Sequence, residues 1–189
     1  MSFLDNFKNY DGCMEPGVKL PKLKISKKFY TQLNIDQQVS NFEFLSKICE
    51  KGLEDKQITN KDNESEYRER LEYELNTLEE LGFTDYILLN WDIINFCHEN
   101  QIPTGPGRGS AAGSLVLFLI NVTKIDPIEN ELFFERFVSK SRARKIESNG
   151  EIYLDGSLLA DVDNDIAYEY RHLVVEYIEK KHPGRTAKI

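Results

Sequence analysis

Cysteine is scarce in this sequence and has no regular spacing. The three cysteines, Cys13, Cys49 and Cys97, lie far apart and form no CxxC pair, which excludes a disulfide framework and a cysteine-based zinc site. Long apolar runs are missing as well, because the longest, at residues 115–120, is far too short to span a membrane. The first residues, MSFLDNFKNYDG, contain no apolar signal core. These absences favour a reducing, cytoplasmic setting.

Basic residues are outnumbered by acidic ones, and the formal net charge is −8. A surface that binds nucleic acid throughout is therefore excluded, although a local basic site is not. No internal repeat and no low-complexity tract is present. The chain has 189 residues, of which 40% are hydrophobic and 30% are charged, and this suffices for about one packed domain.

The hydrophobic pattern predicts a helical region after an extended leader. Residues 1–28 have prolines, alternating lysines and no helical period, and we expect them to form that leader. One helix is predicted over residues 36–53. Asn63, with Glu66 three residues later, is expected to cap a second helix that Gly82 ends. The predicted apolar side of this helix is formed by Leu71, Leu75, Leu78 and Leu81. A third helix begins at Thr84, and its predicted inward residues are Tyr86, Leu89, Ile93 and Phe96.

A glycine-rich stretch, GPGRGSAAGS at residues 105–114, precedes the apolar run LVLFLI, and we expect a loop that leads into a helix there. Unpaired N–H groups at a helix start attract phosphate, and glycine lets a phosphate approach the backbone. Arg108 adds a positive charge, while Ser110 and Ser114 add hydroxyl donors. The stretch matches neither the Walker motif nor GxGxxG. The alternative is a tight connection between two packed helices.

Two further elements are predicted in the second half of the chain. Asn149 and Gly150 separate two short β-prone runs and indicate a hairpin with a two-residue turn. We expect an exposed β-ribbon, either a plain surface insertion or one that contacts DNA through Arg142, Arg144 and Lys145. Residues 168–181 predict a final helix, with one side formed by Tyr170, Val174, Tyr177 and Ile178.

The segment ADVDNDI places Asp161, Asp163 and Asp165 at alternate positions. A strand with this period directs all three carboxylates to one face, where they repel each other unless a divalent cation binds. Mg²⁺ suits one or two carboxylates together with phosphate oxygens. A solvated polar edge strand is the alternative. A phosphate-binding loop followed by such a strand is the combination that metal-assisted nucleotidyl transfer requires.

The stretch GFTDYILLNWDIINFCHENQIPTGPGRGSAAGSLVLFLINVTKIDPIENELFFERF resembles the palm of the bacterial replicative DNA polymerase III alpha family, the C-family polymerases. Its glycine motif and FERF are highly specific, and the resemblance extends over residues 20–189, through ADVDNDI and GRTAKI. It implies an α+β fold. A helical region precedes part of a polymerase-beta-like nucleotidyltransferase palm sheet that is incomplete on its own, so residues 29–189 form a partial palm and thumb region.

The resemblance also implies roles for individual residues. Gly109 and Ser110 contact the triphosphate of the incoming nucleotide, with Arg108 beside them. Asp161 and Asp163 are the catalytic, metal-binding aspartates, and Asp165 is a further candidate metal ligand of lower rank. The cofactor is Mg²⁺, in a two-metal site that an aspartate outside this chain completes.

The chain departs from the family pattern in several places. Ala160 replaces a proline, and the hairpin around Asn149 is an insertion. The histidine motifs of the family's PHP domain, the rest of the palm, the fingers and the clamp-binding segment are absent. We therefore expect a fragment or subunit of a replicative DNA polymerase whose partners are the remaining polymerase fragment, primer–template DNA and dNTP. Alone, it is expected not to extend a primer.

Two other functions stay open. A degenerate, non-catalytic copy would bind nucleotide or a polymerase partner, although the retained Arg108, Asp161 and Asp163 argue against it. A stand-alone nucleotidyltransferase of the same superfamily would need a third carboxylate within this chain, and Glu151 and Asp155 are the only nearby candidates.

Overall fold

Helices make up most of the structure. The computed structural model describes residues 22–139, 145–148, 151–154 and 160–184. The α-helices in these residues are α1 (Lys27–Gln32), α2 (Asn41–Asp55), α3 (Glu64–Glu80), α4 (Thr84–Glu99), α5 (Leu115–Leu119) and α6 (Arg171–Lys181). Strands β1 (Lys145–Ser148) and β2 (Glu151–Leu154) form a hairpin, and 3₁₀ turns lie at Ile58–Asn60, Gly109–Gly113, Phe134–Arg136 and Tyr168–Tyr170.

Local side chains set the ends of the long helices. At the start of α2, Ser40 accepts a hydrogen bond from the Glu43 N–H at 3.2 Å, and the Glu43 carboxylate accepts the Ser40 N–H at 2.7 Å. This capping box was not predicted. The one predicted at Asn63 is wrong, because the Asn63 amide donates to the Glu66 carboxylate instead of capping the backbone. Helix α3 ends as predicted before Gly82, which has a φ of 75°.

Helix α5 lies at the centre of the main core and packs against α2 and α3. Gly52 of α2 approaches the Leu119 carbonyl so closely that no side chain would fit there. Edge-to-face ring contacts of Phe29 and Phe44 with Trp91 join α1 and α2 to α4. The predicted apolar side of α3 is buried as expected, at Leu71, Leu75, Leu78 and Leu81. None of the helices in the described residues is long and apolar enough to cross a bilayer.

The predicted leader is shorter than expected. Leu23 is buried, its N–H donates to the Asp85 carboxylate at 3.0 Å, and its carbonyl accepts the Asn41 amide at 3.0 Å. Helix α1 begins at Lys27, before the predicted boundary at residue 28. Residues 27 and 28 therefore belong to a helix and not to the leader. Residues 22–26 form no helix or strand, as predicted, but pack on the fold through Leu23, and residues 1–21 lie outside the described residues.

Helix α4 has two packed faces. Ile87, Leu88, Trp91 and Ile94 belong to the main core. The residues predicted to face inward are only half-buried, and among them Ile93 and Phe96 contact a second, smaller cluster formed by Cys97, Ile102 and Val174. That cluster lies between α4 and α6. The predicted inward face is thus divided, because Tyr86 and Leu89 pack against the main core and Ile93 and Phe96 against the second cluster.

Helix α6 is attached to α4 by a stacked ring pair and a charged network. The rings of Phe96 and Tyr177 stack at 4.0 Å. Asp92, which is 2% exposed, accepts hydrogen bonds from the Tyr177 hydroxyl at 2.8 Å and from the Lys181 ammonium. Burial, together with the bond to Asp92, raises the pKa of Tyr177. Tyr170 was predicted on this side but precedes the helix and is exposed.

β-Structure in the described residues is limited to the hairpin and one isolated bridge. Strands β1 and β2 pair with Ser148 opposite Glu151, so Asn149 and Gly150 lie between the paired residues, and the predicted pairing is confirmed. Tyr153 is buried, so the ribbon is not exposed on both faces. Arg142, Arg144 and the Lys145 side chain lie outside the described residues. The helical part of the predicted α+β fold is confirmed, and the palm sheet stays a prediction.

Candidate nucleotide-binding site

The glycine-rich stretch between α4 and α5 is folded tightly against neighbouring segments. A Cβ atom on Gly105 would lie 2.6 Å from the Cβ of Asp165. One on Gly113 would lie 2.7 Å from the carbonyl oxygen of Phe133. Both separations are well inside van der Waals contact. These two glycines are therefore required by packing within the chain, as the tight-connection interpretation predicted.

Gly109 differs from these glycines because it faces open space. Its φ of 64° lies in the left-handed region, and an added Cβ would meet no atom within 4 Å. The 3₁₀ turn Gly109–Gly113 begins here, and the first three N–H groups of such a turn have no partner within it. Gly109 is exposed and Ser110 is half-buried, so an anion can approach their two N–H groups.

The start of α5 is already occupied by a side chain of the protein. Fully buried Glu74 accepts hydrogen bonds from the N–H groups of Leu115 at 3.0 Å and Val116 at 3.1 Å. Ser114 donates to the same carboxylate at 2.9 Å and accepts the Leu117 N–H at 3.3 Å. The expected phosphate site at this helix start is therefore corrected: the 3₁₀ turn carries the free N–H groups. Ser114 is a buried helix cap whose hydroxyl group is already engaged by Glu74 and Leu117, so it does not contribute to the exposed site.

Helix α4 holds the acidic segment in place from one side. The Tyr86 hydroxyl accepts the Val162 N–H at 3.1 Å, and the Asn164 amide donates to the Asn90 side-chain oxygen at 2.7 Å. Tyr86 and Asn90 are one helical turn apart, and they engage alternate residues of the segment. Burial is the main reason that the pKa of Tyr86 is raised, and the charges of Asp161 and Asp163 raise it further.

The acidic segment is extended but is not the predicted strand. Just before the glycine-rich stretch, Thr104 forms an isolated antiparallel bridge with Ile166, which follows the aspartates. The Gly105 N–H donates to the Asp165 carbonyl at 2.9 Å. The predicted alternation survives in part, because residues 162 and 164 bond to α4 while Asp163 and Asp165 share a partner on another side.

That shared partner is Arg108 of the glycine-rich stretch. Its Nε atom lies 3.3 Å from a carboxylate oxygen of Asp163 and 3.4 Å from one of Asp165. The Arg108 side chain is 64% exposed, and those of the aspartates are 44% and 41% exposed. Asp161 is exposed and is not among the partners of Arg108. The structure therefore brings together Arg108, Asp163 and Asp165.

The carboxylates fit a divalent cation by their chemistry. Carboxylate oxygens are the ligands that Mg²⁺ prefers, and Asp163 and Asp165 already converge on one positively charged group. Among the described residues, no three acidic, histidine or cysteine side chains are grouped as a metal site requires. A Mg²⁺ ion would therefore need phosphate oxygens or other ligands in addition to these aspartates.

Several residues of the site were not predicted in their roles. Glu74 was not predicted because α3 is acidic along its whole length, so nothing marks this carboxylate as buried. The one available signal is its position next to Leu75, in the buried leucine series. Lys124, whose ammonium donates to the Thr104 carbonyl at 2.6 Å, was not predicted beside the loop either.

Comparison with known proteins gives a consistent result. The family model described as "Bacterial DNA polymerase III alpha NTPase domain" matches residues 43–189. DNA polymerase III subunit alpha of Ureaplasma parvum is 37% identical over 87% of this chain, which corresponds to 15% of that protein. The same subunit of Mycoplasma pneumoniae is 40% identical over 74% of this chain and 15% of its own length. That of Halalkalibacterium halodurans is 34% identical over 89% of this chain and 14% of its own length.

The chain belongs to the bacterial DNA polymerase III alpha family. It spans about one seventh of the length of the curated relatives that it matches. The resemblance inferred from the glycine motif and FERF is thereby confirmed.

Proposed function

We propose that this chain supplies part of the nucleotidyl-transfer site of a bacterial replicative DNA polymerase. In this proposal the exposed end of the 3₁₀ turn contacts the triphosphate of a dNTP, and the acidic segment binds Mg²⁺. One observation carries the proposal: Arg108 joins the exposed start of that turn to Asp163 and Asp165. Membership of the polymerase family supports the type of reaction.

The triphosphate would meet three donors at one exposed place. The N–H groups of Gly109 and Ser110 are free within the turn, and Gly109 has no side chain to obstruct an approaching oxygen. Arg108 is largely exposed, so its guanidinium can exchange the two carboxylates for phosphate oxygens. Bonds between charged groups of this kind contribute about 1.5–3 kcal/mol.

Asp161 and Asp163 are the proposed catalytic, metal-binding pair, with Asp165 as a secondary ligand. The anchoring of residues 162 and 164 to α4 supports this role, because it holds the intervening aspartate in place. Asp161 and Asp163 would hold Mg²⁺, which would supply positive charge to offset part of the negative charge on the triphosphate and to favour ionisation of a 3′-hydroxyl group.

The proposed site is completed by other polymerase segments. We propose that these supply a further carboxylate, the rest of the palm, the fingers and the contacts to primer–template DNA. They would belong either to a partner polypeptide or to a longer form of the same chain. By itself, the described site would bind nucleotide without extending a primer.

Binding of Mg²⁺–dNTP to the isotope-labelled chain, followed by NMR, tests this proposal. We expect the amide signals of Gly109 and Ser110 to shift. Arg108→Ala should raise the Kd about ten- to a hundredfold, because it removes a charge-assisted contact. Arg68→Ala is the matched control, since Arg68 is also exposed but pairs with Glu50 and Glu64.

Other results would reject either the proposed triphosphate site or the catalytic role. Saturating nucleotide that leaves the turn unshifted, or equal Kd values for Arg108→Ala and Arg68→Ala, would reject the proposed triphosphate site. Nucleotide binding without primer extension, even when the remaining polymerase segments are added, would favour a non-catalytic copy of the polymerase.

A further inference from the structure

The 3₁₀ turn Gly109–Gly113 has the sequence GSAAG, so only small side chains are available to hold it in place. Ala111 and Ala112 bury their methyl groups, and hydrogen bonds at the last residue of the turn add a directional constraint. The exposed end carries the N–H groups assigned above to the triphosphate. The other end, at Gly113 and the start of α5, is held by two side chains of α3.

Arg70 and Glu74, one helical turn apart on α3, form this holding pair, which we call the α3 clasp. The Arg70 guanidinium donates to the Glu74 carboxylate at 2.7 Å. It also donates to the carbonyls of Gly113 at 3.0 Å and Leu132 at 3.2 Å. Glu74 takes the next three donors along the chain, which are the Ser114 hydroxyl and the N–H groups of Leu115 and Val116. The clasp therefore grips both the last residue of the turn and the first residues of α5.

Burial of the charged Glu74 side chain costs desolvation free energy. Glu74 is completely buried, and this burial raises the pKa of its carboxyl group, while the bonds from Leu115, Val116 and Arg70 counteract the rise. A buried ion pair rarely stabilises a fold more than apolar residues of the same size, and its best-supported role is to specify one geometry. The bonds of this pair to Gly113, Leu115 and Val116 fit a role in fixing the placement of the turn.

A rotation of the turn at Gly113, where the clasp holds it, would displace Gly109 at the opposite end. A five-residue 3₁₀ turn spans about 8 Å from first to last residue. A tilt of about 10° at Gly113 would therefore move Gly109 by roughly 1.4 Å, which is enough to misalign a hydrogen bond.

We propose that Arg70 and Glu74 are positioning residues that set the direction of the Gly109 and Ser110 N–H groups toward a triphosphate. This inference rests on the proposed function of the turn. Neither residue touches the triphosphate, since Glu74 is buried and both act through the other end of the turn.

The test compares Arg70→Gln with Arg68→Gln. Both variants lose one positive charge on the same helix, but within the described part of the chain the ion pairs of Arg68 are with surface carboxylates, at Glu50 and Glu64. Two quantities are measured well below the unfolding midpoint: the amide chemical shifts of Gly109 and Ser110 in the free protein, and the Kd for inorganic tripolyphosphate with Mg²⁺. Arg70→Gln should move both amide signals and raise the Kd at least fivefold, whereas Arg68→Gln should change neither. Arg70→Lys keeps the positive charge but cannot donate from two nitrogen atoms at once as the guanidinium does, and it should give an intermediate Kd.

The outcomes separate the two proposals. If wild-type protein does not bind tripolyphosphate, the proposed function fails, and the free-protein amide signals still decide whether the clasp orients the turn. If wild-type protein binds but Arg70→Gln binds equally well with unmoved turn signals, the clasp is merely structural and the inference is overturned. A lower unfolding midpoint for Arg70→Gln, with no other change, counts as that second result. Should Arg70→Gln fold incompletely, the same comparison is made between Arg70→Lys and Arg68→Lys.

Discussion

At the scale of single residues, Arg108 connects the two halves of the candidate site. Its guanidinium pairs with Asp163 and Asp165 and offsets one of their two negative charges, and it lies beside the glycine at which an added Cβ would meet open space. A cation that binds the carboxylates competes with Arg108 for them. Arg108 is then free to contact phosphate, so metal and nucleotide binding should support each other.

The three aspartates are expected to differ in importance. In the assembled polymerase, Asp161→Asn and Asp163→Asn should each abolish primer extension, because each removes a proposed ligand charge of the metal pair. Asp165→Asn should be tolerated, because this residue is the secondary ligand. Primer extension by the three variants, at matched folded fractions, measures the difference.

The same series has two contrary outcomes. An inactive Asp165→Asn together with an active Asp161→Asn would move the metal pair to the two aspartates that contact Arg108. Full activity of all three variants would leave the segment as a solvated edge and reject the polymerase role.

At the scale of secondary-structure elements, the acidic segment shows why a strand was predicted and does not form. The period of two in ADVDNDI is real, since residues 162 and 164 bond to α4 while Asp163 and Asp165 lie beside Arg108. A strand also needs a partner backbone, and that cannot be deduced from periodicity. In the described residues the segment has one β-bridge, to Thr104. Its other contacts are hydrogen bonds to the side chains of Tyr86 and Asn90 on α4.

The amide pair between α4 and this segment should behave as a coupled unit. Asn90 is buried, and its oxygen accepts the Asn164 amide at 2.7 Å. Asn90→Leu should lower the free energy of unfolding by about 1–3 kcal/mol, because it leaves the Asn164 amide unpaired. The double variant Asn90→Leu/Asn164→Leu should recover part of this loss, since both polar groups are then removed.

Urea unfolding of the wild type, both single variants and the double variant measures this coupling. A coupling energy of at least about 0.5 kcal/mol is expected for residues in direct contact. Strictly additive effects would show that the two amides do not support each other.

Sequence patterns predicted the helices better than the contacts that join them. The leucine series of α3, the end of that helix before Gly82 and the β1–β2 pairing follow from local periodicity and turn chemistry, and they are confirmed. Whether Asn63 caps α3 and Ser40 caps α2 depends on backbone geometry that the sequence motif leaves open. The burial of Glu74 depends on α5, which lies 40 residues further along the chain. Long-range pairing of this kind leaves no local signal.

At the scale of the whole molecule, the described residues form two clusters of unequal size. The main core joins α1 to α5, whereas α6 packs on a small cluster around Cys97, Ile102 and Val174. The charged network at Asp92 provides the other attachment of α6. Removing one partner of a largely buried ion pair is destabilising, because the remaining charge stays buried.

Because Cys49 and Cys97 lie in different clusters, the reaction rates of the two thiols report separately on the opening of each cluster. Both thiols are fully buried, one in the main core and one beneath α6, and burial raises the pKa of each.

In a Cys13→Ser background, Cys97 should react with a thiol reagent faster than Cys49, because only α6 must detach to expose it. Lys181→Met should accelerate Cys97 about ten- to a hundredfold through loss of about 1.5–3 kcal/mol, and leave Cys49 nearly unchanged. Lys180→Met, at an exposed neighbouring lysine paired with Glu176, should alter neither rate. Equal rates at the two thiols would mean that α6 and the main core open as a single unit. Binding of a partner to α6 would then stabilise both clusters together.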